Sequence, residues 1–209
     1  MILNLYPLLD TVRQRHVGTV LEGRMTDDQW TIDIRISSIK SKLNHANYHK
    51  RQFLKSYDLN IFREEVGHEL LRAEFYAYLN AVLGSLDLVL HEINILYRLG
   101  IIERRVNLSS VISALKSRET SEVSTRLQSI EKLDWYISLK DLRNKATHNP
   151  HMIWTLYIGG DNSGTITLPD DPFSRESSSS IEISSYLEMT LDETKAYIDS
   201  IQTIILRDL

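Results

Sequence analysis

Phe75-Tyr76-Ala77-Tyr78-Leu79-Asn80-Ala81-Val82-Leu83-Gly84-Ser85-Leu86-Asp87-Leu88-Val89-Leu90-His91-Glu92-Ile93-Asn94-Ile95-Leu96 is the stretch whose reading decides the fold. Phe75, Leu79, Val82, Leu86, Val89, Ile93 and Leu96 follow one another in alternating steps of four and three residues. That spacing lines a single face of an α-helix and makes a seam for another helix to pack on. Leu83, Leu90 and Tyr97 widen the stripe on one side, and Asn80, Asp87 and Asn94 recur every seven residues beside it. Gly84-Ser85 lies halfway along, where small side chains let a second backbone come close. The helical pattern extends over residues 59–99, and Gly100 supplies its stop signal.

Working outward, Leu5, Leu8, Leu9 and Val12 predict a short amphipathic helix. Trp30, Ile32, Ile34 and Ile36 alternate with Thr31, Asp33 and Arg35, which predicts a strand running into a helix that carries Ile39, Leu43 and Ala46. Beyond the seam, a short helix is expected over residues 108–115 and a longer one over residues 121–148. The longer one has Val123, Leu127, Ile130, Leu133, Ile137 and Leu142 as its buried face and Glu122 in its first turn. Asn149 precedes Pro150 and is steered away from helical angles, so His148 falls in the last turn. Residues 153–158 and 165–168 flank a glycine-rich turn and read as a β-hairpin, to which Ile181 and Ile183 add a third strand. Residues 177–180 are four serines, a flexible low-complexity stretch. Thr190 with Glu193 has capping-box spacing and is expected to open a final helix whose face carries Tyr197, Ile198, Ile201, Ile204 and Ile205. The fold expected is mainly α: an antiparallel helical bundle with a small C-terminal β-hairpin and a terminal helix. Three segments follow: 1–58, an elaboration with a basic face; 59–150, the bundle; and 151–209, the hairpin and last helix.

Composition bounds the function. An apolar share of 42% with 25% charge is that of an ordinary soluble domain with a full core. No apolar run reaches the roughly 18 residues that span a bilayer. The opening residues have neither the basic stretch nor the small-residue cleavage site of a secretory signal. A cytoplasmic protein away from the membrane is therefore expected. The chain has no cysteine, which excludes disulfides, thiolate catalysis and sulfur-ligated zinc. The net charge is −4 but unevenly spread: residues 1–60 hold 9 basic and 6 acidic groups, residues 161–209 hold 3 and 10. Residues 34–57 contain Arg35, Lys40, Lys42, Lys50, Arg51 and Lys55, no acid, and His45, Tyr48, His49, Phe53 and Tyr57 between them. Such a helix suits a phosphate backbone with bases to stack on, so RNA contacts are expected at Lys40, Lys42, Lys50 and Arg51. It equally suits a solvated face neutralised by the acidic C-terminal third.

Chemistry concentrates in Arg143-Asn144-Lys145-Ala146-Thr147-His148. A fixed cation, an amide donor and a group that exchanges a proton near neutral pH are the side chains needed to cut RNA without a metal. The bare Arg-to-His spacing is weak, since the chain has seven histidines and Arg63 with His68 also fits. Context separates the two: Arg63 is followed by Glu64-Glu65, which repel phosphate, and Arg143 by Asn144 and Lys145 at a helix end. The competing structural reading pairs Arg143 with Asp134 or Asp141 and leaves the cations to satisfy free helix carbonyls.

Arg143, Asn144 and His148 at a helix end, with the Phe75-Tyr76-Ala77-Tyr78-Leu79-Asn80-Ala81 helix, resemble the HEPN superfamily across residues 65–150. The resemblance implies a HEPN-like bundle, a homodimer with a composite cleft, and a ribonuclease of the toxin or phage-defence kind. It also implies a possible antitoxin partner such as a nucleotidyltransferase, and a non-catalytic binding module as the alternative. No metal or cofactor is expected. Arg143, Asn144 and His148 take the catalytic roles, Lys145 adds an RNA contact, and Asp87 either supports the site from behind or faces solvent. His45 and His49 lack an acidic neighbour in sequence and read as part of a solvated basic face. Trp30, Trp135 and Trp154 are expected in the core or at interfaces.

Overall fold

The computed structural model describes residues 10–12, 27–58, 65–117, 121–148, 155–158, 164–174 and 179–208. The chain forms helices α1 (Asp27–Asp58), α2 (Glu65–Leu96), α3 (Leu108–Lys116), α4 (Ser121–Ile130), α5 (Asp134–His148) and α6 (Ile183–Asp208). Strands β1 (Thr155–Ile158), β2 (Gly164–Leu168) and β3 (Ile181–Glu182) stand between α5 and α6. Residues 10–12 are helical with Val12 buried, and Leu5, Leu8 and Leu9 lie outside the described residues. Contacts divide the chain into two compact units: residues 1–43, 84–131 and 194–209, and residues 44–83 and 132–193. α1, α2 and α6 each contribute one end to each unit.

The first unit has an aliphatic core. Ile32, Ile36, Ile39 and Leu43 of α1 are buried with Leu86, Val89 and Ile93 of α2 and Ile198, Ile201 and Ile205 of α6. α1 and α2 run antiparallel, since Arg35 lies beside His91 while Lys42, seven residues on, lies over Gly84. α2 and α6 run parallel, with Gln202 bonded to Glu92 at 2.7 Å and Asp208 to Tyr97 at 2.5 Å. The neighbour that Gly84 admits is the aliphatic stem of Lys42, not a second backbone: an added Cβ would stand 3.4 Å from Lys42 Cε. Past α2 the chain turns through Arg98 (φ 47°) and Gly100 (φ 73°). Asn94 holds that turn as a substitute peptide group, accepting from Ile101 N–H at 3.0 Å and donating to Ile101 C=O at 2.9 Å.

The second unit has an aromatic core. The Phe53 and Phe75 ring centres are 6.2 Å apart, Phe75 and Tyr186 6.4 Å, and Phe173 and Tyr186 6.3 Å. Tyr78 is fully buried and donates to Leu187 C=O at 2.7 Å, so its hydroxyl is satisfied inside the core. β1, β2 and β3 form an antiparallel sheet in that order, with Leu156 opposite Ile166 and Leu168 opposite Ile181. Ile166, Leu168 and Ile181 point inward. Tyr57 of α1 ties the sheet down, accepting from Ile166 N–H at 3.2 Å and donating to Glu182 at 3.1 Å.

Three local expectations are corrected. Residues 30–36 are helical, not a strand: Ile32 and Ile36 belong to a buried 32-36-39-43-46 helical series, while Trp30 and Ile34 are 57% and 42% exposed. Two interleaved faces of one helix had the appearance of strict alternation. The helix expected over residues 121–148 is broken at residues 131–133. Unbroken, it would have turned Asp134 and Asp141 inward with Ile137. The break shifts the register by about one residue, burying Trp135, Leu139 and Leu142 and leaving Ile137 44% exposed. α6 begins at Ile183, so Thr190 is not a cap but a fully buried residue two turns into the helix.

α2 is long and apolar enough to cross a bilayer by length and composition, over Val66–Leu96. Apolar residues along it are buried in the core of each unit.

Candidate functional site

α5 presents the motif at its free end. Trp135, Leu139 and Leu142 anchor one side of the helix in the aromatic unit, and Arg143, Asn144, Lys145 and His148 are all exposed on its last turns. Thr147 Oγ1 donates back to Arg143 C=O at 2.9 Å, capping a terminal carbonyl with a side chain. Asn149, Pro150, His151 and Trp154 lie outside the described residues. Neither Asp134 nor Asp141 pairs with Arg143, whose guanidinium has no ion-pair partner among the described residues. Helical periodicity sets Arg143 and His148 about 140° apart, and Asn144 within about 40° of His148. A single copy of α5 thus presents the imidazole and amide together and the guanidinium on another side.

On the imidazole side, α5 borders a groove of about 260 Å³, lined by Asp134, Ile137, Ser138, Asp141, Leu142 and Lys145 and by Leu168, Pro169, Asp170, Asp171 and Pro172. Among the described lining residues Lys145 is the one cation beside four carboxylates. Asp170 and Asp171 come from the loop after β2, held by Asp171 N–H donating to Ser179 C=O at 2.8 Å. Four carboxylates among these lining residues disfavour a phosphate, and local sequence offered no sign of them because half arrive from about 30 residues downstream.

The basic face of α1 divides under the structure. Lys40 is paired with Asp10, Arg35 with Glu103, and Lys50 with Glu188 at 3.8 Å. Lys42 lies over Gly84. Arg51 is exposed and makes no ion pair among the described residues. His49 does have an acidic neighbour, contrary to expectation: Glu74 of α2 stands 2.8 Å from its Nδ1. Asp87 is exposed in the first unit, where it acts on His91 one turn on. Burial and the nearby Arg35 lower the His91 pKa, with Glu103 and Asp87 opposing. Of the alternative motif, His68 is half-buried on α2 and Arg63 lies outside the described residues. Trp135 is in the core, and Trp30 is 57% exposed.

A buried pair had no sequence signal at all. Glu92, fully enclosed, accepts from Gln202 Nε2 at 2.7 Å, while its Oε1 and that of Gln202 have no partner among the described residues. Burial pushes the Glu92 carboxyl up to about 7, the Gln202 hydrogen bond working against it.

Among curated proteins and among solved structures nothing matches this chain. A family model does: that of the HEPN_Cthe2314-like HEPN family, over residues 35–202. The match runs well past the region of resemblance read from sequence, taking in most of α1, the sheet and α6.

Proposed function

The chain belongs to the HEPN superfamily, whose members are ribonuclease-type or nucleotide-binding modules, and from that premise we propose that it binds RNA and cleaves it through Arg143, Asn144 and His148. The observation that carries the reading is the state of those side chains: all three are solvent-exposed at the end of α5, and the structural pairing of Arg143 with Asp134 or Asp141 is not made. In the reaction the ribose 2′-oxygen attacks the neighbouring phosphorus and the bond to the 5′-oxygen breaks. The products are a 2′,3′-cyclic phosphate and a 5′-hydroxyl end. His148 transfers the proton, Arg143 neutralises the phosphoryl oxygens, and Asn144 orients the strand or the imidazole. The angular separation of Arg143 and His148 favours a composite centre in which two copies of the chain each supply part. Toxin or defence work in the cytoplasm, restrained by a partner such as a nucleotidyltransferase antitoxin, is the biological setting this reading carries with it.

The four carboxylates around Lys145 favour a second reading, a dimeric HEPN module that binds without cutting. One experiment separates them. Incubation with RNA in EDTA should give cyclic-phosphate ends with the wild type, and none with Arg143→Ala or His148→Ala. Cutting that survives either substitution removes these residues from the reaction, and no cutting by any form leaves the binding module.

A further inference from the structure

The outward face of α1 in the second unit carries cations that have no carboxylate partner among the described residues. Lys50 and His49 sit on its flanks, beside Glu188 at 3.8 Å and Glu74 at 2.8 Å. Arg51 and Lys55, one turn apart on the face turned away from buried Ala46 and Phe53, are exposed and have no ion-pair partner among the described residues. One turn before Arg51 on the same face, Tyr48 is 56% exposed. Its ring meets that of His49 edge-on at 5.2 Å, and Glu74 fixes His49 in turn, so the exposed ring is braced from behind. Asn44 and Gln52 add amides to the same face, and residues 44–57 contain no acid.

We propose that this strip, Tyr48 with Arg51 and Lys55, seats a single-stranded stretch of RNA, the tyrosine stacking on a base and the two cations taking flanking phosphates. The proposal rests on the RNA reading above but concerns a different surface from the α5 terminus. Charge complementarity selects the occupant. The groove beside Lys145 sets four carboxylates against a lysine and opposes a phosphate chain, so affinity for the strand has to come from elsewhere in the unit. A braced, half-bare aromatic ring beside cations is what an unstacked base uses. A duplex, whose bases are stacked away from such a ring, gains only the phosphate contacts. The strip also revises the footprint expected from sequence: Lys40 and Lys50 are already paired, and Tyr48 and Lys55 take their place beside Arg51.

The test reads binding apart from cutting. The full chain is titrated, by fluorescence anisotropy, into a labelled 2′-O-methyl oligouridine, which has no 2′-hydroxyl to attack. Parallel titrations use the same strand in a duplex and a polyglutamate of equal charge. Tyr48→Ala should weaken single-strand binding roughly tenfold, and Tyr48→Phe should restore it. Arg51→Glu with Lys55→Glu should abolish it, and neutralising the two should lower the salt slope by about 1.4. These side chains are exposed, and far-UV circular dichroism of each variant checks that the fold persists. Wild-type affinity in Tyr48→Ala and in the double variant overturns the strip, whether or not the protein cuts RNA. So does tighter binding of polyglutamate than of RNA, which would mark an acidic-protein surface instead. Binding that follows Tyr48 while no form cuts RNA upholds the strip and sinks the nuclease alone.

Discussion

Replacing Glu92 with Gln should stabilise the protein, and by an amount that grows with pH. The side chain is wholly enclosed, with one oxygen bonded to Gln202 and the other unpartnered among the described residues. Burial holds its carboxyl at about 7 against an ordinary 4.5. In the unfolded chain the group therefore loses its proton near 4.5, and in the folded protein only near 7. Between those values the folded state binds the extra proton, so stability falls as pH rises. Below 4.5 both states are protonated and nothing is lost. Well above 7 the whole difference is felt, about 3 kcal/mol at 1.36 kcal/mol per pH unit. Glu92→Gln keeps the size and the acceptor facing Gln202, removes the charge, and places donors where an oxygen had no partner. Urea unfolding followed by far-UV circular dichroism at pH 5 and pH 8.5 measures the effect. The variant should gain between about 2 and 3 kcal/mol on wild type from pH 5 to pH 8.5, since at pH 5 the unfolded chain has already lost most of this proton. A stability difference that is the same at both pH values would show that Glu92 does not change its charge on unfolding, and the argument from burial would fall.

Two further outcomes follow from the geometry. If the cutting centre takes its guanidinium and its imidazole from different copies, mixing inactive Arg143→Ala with inactive His148→Ala under exchange conditions should recover about a quarter of wild-type cleavage. No recovery, with exchange verified, would mean that each copy is self-sufficient. Asn94→Ala should lower stability by about 1–3 kcal/mol, because the amide and carbonyl of Ile101 both lose their partner. Faster amide exchange at Ile101 would localise the loss, and an unchanged melting curve would contradict it.

The long seam was legible because its repeat continues for six turns and nothing local competes with it. Residues 30–36 were not, because a helix with apolar groups on both an inner and an outer face also satisfies alternation over a short window. The break at residues 131–133 comes with burial of Trp135, Leu139 and Leu142 in place of Ile137, and no glycine or proline announces it. For the candidate site, the position of Arg143, Asn144 and His148 at a helix end was readable from Asn149-Pro150 and the apolar face. Its electrostatic surroundings were not. Asp170 and Asp171 beside Lys145, Glu188 beside Lys50, and Glu74 beside His49 are meetings of distant segments. Composition counted those charges correctly, but pairing decides which of them a ligand feels.

The contrast between an aliphatic and an aromatic core governs how this protein can be watched. Fluorescence from enclosed Trp135, and near-ultraviolet dichroism from the rings around Phe75, report on the half that carries the α5 terminus. The isoleucine-rich half around Glu92 carries an exposed Trp30 and a buried Tyr197, so Trp30→Phe is needed before ring signals weigh chiefly on the other half. Optical melts by ring signals and by peptide absorption would therefore superimpose only if both halves come apart at once, and any lag between the two traces would time their separate loss.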